Sequence, residues 1–189
     1  MSSKPKPAPA RPAPRLYLAT PVVDDPAALV AELPKLLAGA DVAAVLVRLK
    51  ARDPRGMTEC AKALVRPIQD AGAAALLDGH PELVARAGAD AMVAGEAGAD
   101  YVLFGEPDAA GPRPASEAIA DRLTWWAEIF EVPCVGFATN LTEVAAFAGA
   151  GADFILVGDM IWNDVRGAHA ALVDAHNAIR QNSDGTFGA

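Results

Sequence analysis

The chain has 189 residues, 52% of them hydrophobic and 21% charged, which supports one sizeable core and excludes a protein disordered throughout. Its formal net charge is −8; four of its 16 basic residues, Lys4, Lys6, Arg11 and Arg15, stand in the first 15 positions, which hold no acid, so the remainder sets 12 bases against 24 acids and is a poor partner for nucleic acid. No apolar run approaches the ~18 residues of a membrane-spanning helix, and Cys60 and Cys134 stand apart without a CxxC or Cys/His cluster, so no disulfide framework or zinc site is indicated.

Proline at positions 5, 7, 9, 12 and 14 forbids a regular helix and marks residues 1–15 as an extended Pro/Ala/Lys-rich tail. The tail lacks the apolar segment of a secretory signal, and a cytoplasmic protein is expected. From there short apolar runs alternate with amphipathic stretches. LYLAT (16–20) reads as a strand, about 26–38 as a helix, VAAVLVRL (42–49) as a strand, about 57–71 as a helix and AAALL (73–77) as a strand. Helical patterns follow at about 81–87 and 91–98, then the strand YVLFG (101–105), a helix at about 115–130, the strand CVGFA (134–138) and a helix at about 142–149. The strand FILVG (154–158) and a terminal helix at about 164–180 complete a single domain over 16–181, with 182–189 as a second tail. Nearly continuous apolar strands mark a parallel sheet buried on both faces.

A short repeat sets the phase: RAGAD at 86–90, EAGAD at 96–100 and GAGAD at 149–153, each a helix end whose Gly-containing turn should feed a strand. The second and third do; the first is followed by AMVAGEAGAD, which reads as helix. Six strands are then visible, and an eight-stranded barrel would lack its fourth and fifth. Either those strands are lost or a segment is omitted from the sequence in hand. Their loss would leave unpaired backbone edges, which calls for an open sheet, a rearranged barrel or a homodimer that covers the edge.

The order of LYLAT, VRLK (47–50), LLDGHPELVARAGAD (76–90), AGADYVLFGEP (97–107) and AGADFILVGDMI (150–161) resembles the thiamine-phosphate synthase family, which includes the TenI-like proteins. The resemblance covers about 16–165 apart from the gap after Asp90. It implies an α/β fold, a phosphate-binding (β/α)8 barrel of TIM type. It also implies a transferase that joins a hydroxymethylpyrimidine diphosphate to a thiazole phosphate, both small phosphorylated molecules, with loss of pyrophosphate and with Mg²⁺ as cofactor. Such a site must neutralise the leaving group and hold the thiazole against a carbon that becomes positive. A second reading keeps the scaffold without the reaction: an inactive or re-purposed TenI-like barrel that binds a ligand, regulates, or tautomerises a thiazole.

By the same resemblance, Arg48 and Lys50 match the Arg and Lys of the family's Q-x-R-x-K pattern and take the catalytic positions, with Lys50 facing pyrophosphate. Two residues apart on a strand, they share a face; Leu46 stands where the family has Gln. The plain alternative is a pair of solvated bases at a strand end. Asp78 matches the Asp of the family's Asn-Asp pair and is the implied Mg²⁺ ligand, with Leu77 replacing the Asn; Asp78-Gly79 also reads as an ordinary turn. His80 is a proton carrier or a solvated loop histidine. Asn140 is a substrate-binding candidate or a helix cap, with Glu143 completing a capping-box pattern. Gly158 permits close approach of a phosphate, whereas Asp159 puts a negative charge where the family has a small Ser, and Phe137 and Ala138 replace its Gly-Gly pair. Glu106, Asp108 and Arg113 lie in GEPDAAGPRP, either a solvated loop or a cluster suited to a cation or amine.

Overall fold

The computed structural model describes residues 12–80, 83, 86–87, 91–93, 100–106 and 112–185. Seven strands form one parallel sheet: β1 (Arg15–Val23), β2 (Val42–Leu49), β3 (Ala74–Asp78), β4 (Ala91–Val93), β5 (Val102–Phe104), β6 (Cys134–Phe137) and β7 (Phe154–Val157). Their spatial order is β4-β3-β2-β1-β7-β6-β5. The helices are α1 (Ala27–Leu37), α2 (Pro54–Asp70), α3 (Ser116–Ile129), α4 (Leu141–Gly149), α5 (Asp159–Trp162) and α6 (Ala168–Gly185); residues 83, 86 and 87 are also helical. Local chemistry starts them where the sequence allows. Asp53 accepts the Gly56 N–H at 2.9 Å ahead of Pro54, a cap followed by the residue whose missing N–H costs nothing in a first turn.

Side-chain alternation splits the apolar residues into two cores. Leu16, Leu18, Val45, Val47, Leu77 and Val157 face the helices and pack with Leu33, Leu64, Leu123 and Phe147. Tyr17, Ala19, Leu76, Val135 and Leu156 face the other way and form a smaller cluster. The inner face is concave. Tyr17 on β1 and Tyr101, just before β5, bring their hydroxyls to 3.1 Å although two strands lie between, a span of about 14 Å in a flat sheet.

One expected helix is a strand. Ala91–Val93 pairs in parallel with β3, Leu76 opposite Ala91, so all three Gly-Ala-Asp repeats feed strands. Three residues are too few to show a period, and only the backbone partner offered by β3 settles their state. Residues 94–98 of that expected helix lie outside the described residues. The fourth strand of a barrel is therefore present, and the described sheet has seven strands where the sequence showed six and a closed barrel has eight. Eight residues, 94–101, link β4 to β5, the two edges of the sheet. The expected 164–180 helix begins later and runs past the domain limit at 181 to Gly185, with the Asn182 amide donating to the Ala145 carbonyl. Residues 1–11 and 186–189 of the two tails lie outside the described residues. Among those described, no helix is long and apolar enough to cross a membrane.

Candidate active site

The carboxyl ends of parallel strands are where such sheets carry their ligands, and here residues from β1, β2, β3, β5 and β7 converge there. Between Ala19 and Val22 the β1–β2 register slips. Pro21 has no N–H to give to the ladder, and at the slip the Thr20 hydroxyl stands in for a backbone acceptor, accepting the Arg48 N–H at 3.0 Å while donating to the Pro21 carbonyl at 2.8 Å. From α5 the Trp162 indole N–H reaches the Ala19 carbonyl at 2.7 Å. This supported bulge aims Arg48. Its Nε donates to the Thr20 carbonyl at 2.6 Å, and its guanidinium stands 3.6 Å from the exposed Asp159 carboxylate. A Cβ on Gly158 would lie 3.9 Å from that guanidinium and 3.6 Å from the Ala19 Cβ, ordinary contact distances that put the end of β7 directly beside Arg48. Arg48, Gly158 and Asp159 thus meet at the carboxyl end of the sheet.

Lys50 is directed differently. It lies one residue beyond β2, its N–H bonds the Val23 carbonyl at 2.9 Å, and its Nζ pairs with Asp24 at 2.8 Å, a carboxylate that Arg52 also binds. The Lys50 hydrogen bond, aided by Arg52 against partial desolvation, holds the Asp24 carboxyl below its ordinary range.

Asp78 ends β3 on the inner face and is exposed. Gly79 follows at φ +69°, a left-handed turn that glycine takes without penalty, and half-buried His80 accepts the Leu83 N–H on its carbonyl at 3.1 Å. Across the concave face Glu106 follows β5. Burial first, then the mutual hydrogen bond and the negative charges of Asp78 and Glu106, push the Tyr17 hydroxyl far above the ordinary phenol range. Tyr101 is raised by burial, against its bond to Tyr17, and by the same two carboxylates. Asp78 and Glu106 therefore overlook one protonated tyrosine pair. Among the described residues no hydrogen bond or ion pair engages either carboxylate, and no group of three metal-ligating side chains occurs. Exposed carboxylate oxygens are the right donors for Mg²⁺, which takes one or two of them and fills its remaining positions with water and substrate phosphate.

Asn140 caps α4, its Oδ1 accepting the Glu143 N–H at 2.9 Å. The Glu143 carboxylate does not return to the cap residue as a capping box would. It accepts instead from the Thr139 N–H and hydroxyl at 2.8 and 2.9 Å, from the Ser116 hydroxyl at 2.6 Å, and from Arg113 at 2.8 and 2.9 Å. Burial would raise this carboxyl, but the bonds from Arg113, Ser116 and Thr139 outweigh it and hold it at about 2. Arg113 also donates to the Gly105 and Phe137 carbonyls at 2.7 and 2.8 Å. It is therefore a largely buried clasp between the ends of β5 and β6, where the sequence suggested a solvated loop; Asp108 lies outside the described residues. Leu77 and Ala138 face the helices, while Leu46 and Phe137 pack into the inner cluster.

Sequence reasoning did not find Thr20, Trp162, the Tyr17–Tyr101 pair or the Arg113–Glu143 clasp. One signal was available: Pro21 in a strand-like run, which marks a bulge or an edge.

No family model matches the chain. It is similar to the thiamine-phosphate synthase of Rhodospirillum centenum, 34% identical over 202 residues, covering 88% of this chain and 98% of that protein. The thiamine-phosphate synthase of Hyphomonas neptunium is 32% identical over 213 residues, covering 89% and 95%. Among solved structures, the thiamine phosphate pyrophosphorylase of Pyrococcus furiosus superposes with a TM-score of 0.71 at 18% identity, over 89% of this chain and 96% of that one. Since 88% of 189 residues is about 166, about 36 of the 202 positions aligned with the first relative have no counterpart here.

Proposed function

The chain belongs to the thiamine-phosphate synthase family, and from that premise we propose that it joins a hydroxymethylpyrimidine diphosphate to a thiazole phosphate with release of pyrophosphate. The observation that carries this reading is the 34% identity extending over 98% of a thiamine-phosphate synthase. The mouth of the sheet supports it. Loss of pyrophosphate concentrates negative charge on the leaving group, and Arg48, held by the Thr20 carbonyl, brings its guanidinium beside Gly158 at the end of β7. The Lys50–Asp24 pair is exposed, and solvent screening keeps such pairs weak, so an arriving diphosphate can take Lys50 from Asp24. Mg²⁺, held by Asp78 with Glu106 opposite, would supply further neutralisation of the diphosphate. Gly158 and Arg48, side by side at the end of β7, would face the second phosphate, and His80 stands near enough in sequence to Asp78 to carry a proton at the rim. Asp159 keeps Arg48 oriented until substrate displaces it, and Asn140 sets the start of α4 beneath the thiazole phosphate.

We place the protein in the cytoplasm, a reading supported by two free, buried cysteines, Cys60 and Cys134. The sheet edges at β4 and β5 support a homodimer that covers them.

The test is mass-spectrometric detection of thiamine phosphate after incubation with both substrates and Mg²⁺. Product is expected, is lost with chelator, and is lost in Asp78→Asn. Absence of product from the folded wild-type chain overturns the assignment, and undiminished turnover in Asp78→Asn overturns the metal role.

A further inference from the structure

At the opposite end of the concave face, by the strands' amino ends, lies a cavity of about 370 Å³. Its walls are Tyr17, Ala44, Leu76, Tyr101, Val135 and Phe154. Ala44 and Ala74 stand where barrel interiors usually carry bulky branched side chains, and among the described residues no eighth strand fills the layer. A dry cavity of about 150 Å³ already accepts benzene, and ligand sites in general begin at about 300 Å³.

The rim sets the charge of an occupant. Arg15 stands there, but its guanidinium is held by Asp41 at 2.7 and 3.0 Å, while Asp100 contributes an exposed carboxylate. An anion would meet Asp100 without a released cation to offset it. Among the described residues, the polar feature of the walls inside that rim is the tyrosine pair. With the hydroxyls at 3.1 Å, one O–H is donated to the other oxygen, and the second tyrosine keeps its own O–H for another acceptor. Burial keeps both in the protonated, donating form.

We propose that this cavity is a second binding site, for a small uncharged molecule of one or two rings bearing a single hydrogen-bond acceptor. It is separate from the mouth where phosphorylated substrates react. The tyrosine pair is the partition between the two, lying below Asp78 and Glu106 on one side and lining the cavity on the other. The site does not depend on which reaction the mouth performs.

Quinoline is a suitable probe, being bicyclic, neutral at neutral pH and an acceptor through one ring nitrogen. Titration of the full chain by ligand-observed NMR is expected to show saturable binding, weaker binding of naphthalene, which has no acceptor, and none of naphthalene sulfonate. Ala44→Leu, which pushes a larger side chain into the cavity where a ring would lie, should weaken quinoline at least about tenfold. Tyr101→Phe, which removes only a hydroxyl, should weaken it about fivefold and serves if Ala44→Leu does not fold. Saturating pyrophosphate should leave quinoline bound. Non-saturable binding of quinoline by the wild-type chain, equal binding of the sulfonate, displacement by pyrophosphate, or wild-type affinity in the folded variants would each overturn the proposal.

Discussion

Glu143 shows how one residue decides the local order. It is buried, yet five hydrogen bonds from Arg113, Ser116 and Thr139 converge on its two oxygens. Its carboxyl is held at about 2, against an ordinary value of 4.5 for an unfolded chain. A folded value below the unfolded one means that the stabilisation is fully present above pH 4.5 and disappears as the pH falls towards 2. Glu143→Gln should cost about 3 kcal/mol at neutral pH, because Arg113 loses its counter-charge in a largely buried setting. Urea midpoints should show the two proteins far apart at neutral pH and converging in acid. A constant gap across that range would mean that charge is not what Glu143 contributes. Asn140, one turn away, was readable as a cap because its bond reaches only three residues; Arg113 was not readable as a clasp, because its partner is thirty residues off.

At the level of elements, β6 packs closely against α3 and α4 behind the site. A Cβ on Gly136 would come within 3.0 Å of both Leu123 and Phe147, the two large side chains by which those helices rest on the sheet. Gly136→Ala should therefore destabilise the fold by about 1–3 kcal/mol, measured by thermal or urea unfolding. Unchanged stability would show that the helices can retreat without loss. Strand positions on this scale were plain from the sequence, since LYLAT, VAAVLVRL and FILVG are unbroken apolar runs bounded by polar turns. The exception was AMV at 91–93. Its preference is too weak over three residues to oppose a helical reading, and its pairing with Leu76–Asp78 is a long-range fact.

For the whole molecule, the open question of the sequence was how much barrel is missing. The sheet answers with seven strands, and the first relative has about 36 positions without counterparts, close to the roughly 30 residues of one strand-and-crossover unit. The edges fall at β4 and β5. With a homodimer covering both edges, hydrogen exchange should find the amides of β4 and β5 protected almost as well as those of β1, β2 and β7. Edge amides exchanging at least about tenfold faster would show the edges bare in solution and overturn the homodimer reading. What the sequence determined by itself was whatever lies within a few residues: the alternating elements, the Asn140 cap, the Asp78-Gly79 turn, and the ordered motifs that mark the family. Only the tertiary structure decided that Arg48 meets Asp159, that Tyr17 meets Tyr101, that Arg113 meets Glu143 and that Lys50 turns to Asp24. Local bonds depend on backbone geometry that each residue type prefers on its own, whereas these contacts depend on strand register and on the curl of the sheet, which the packed chain sets as a whole.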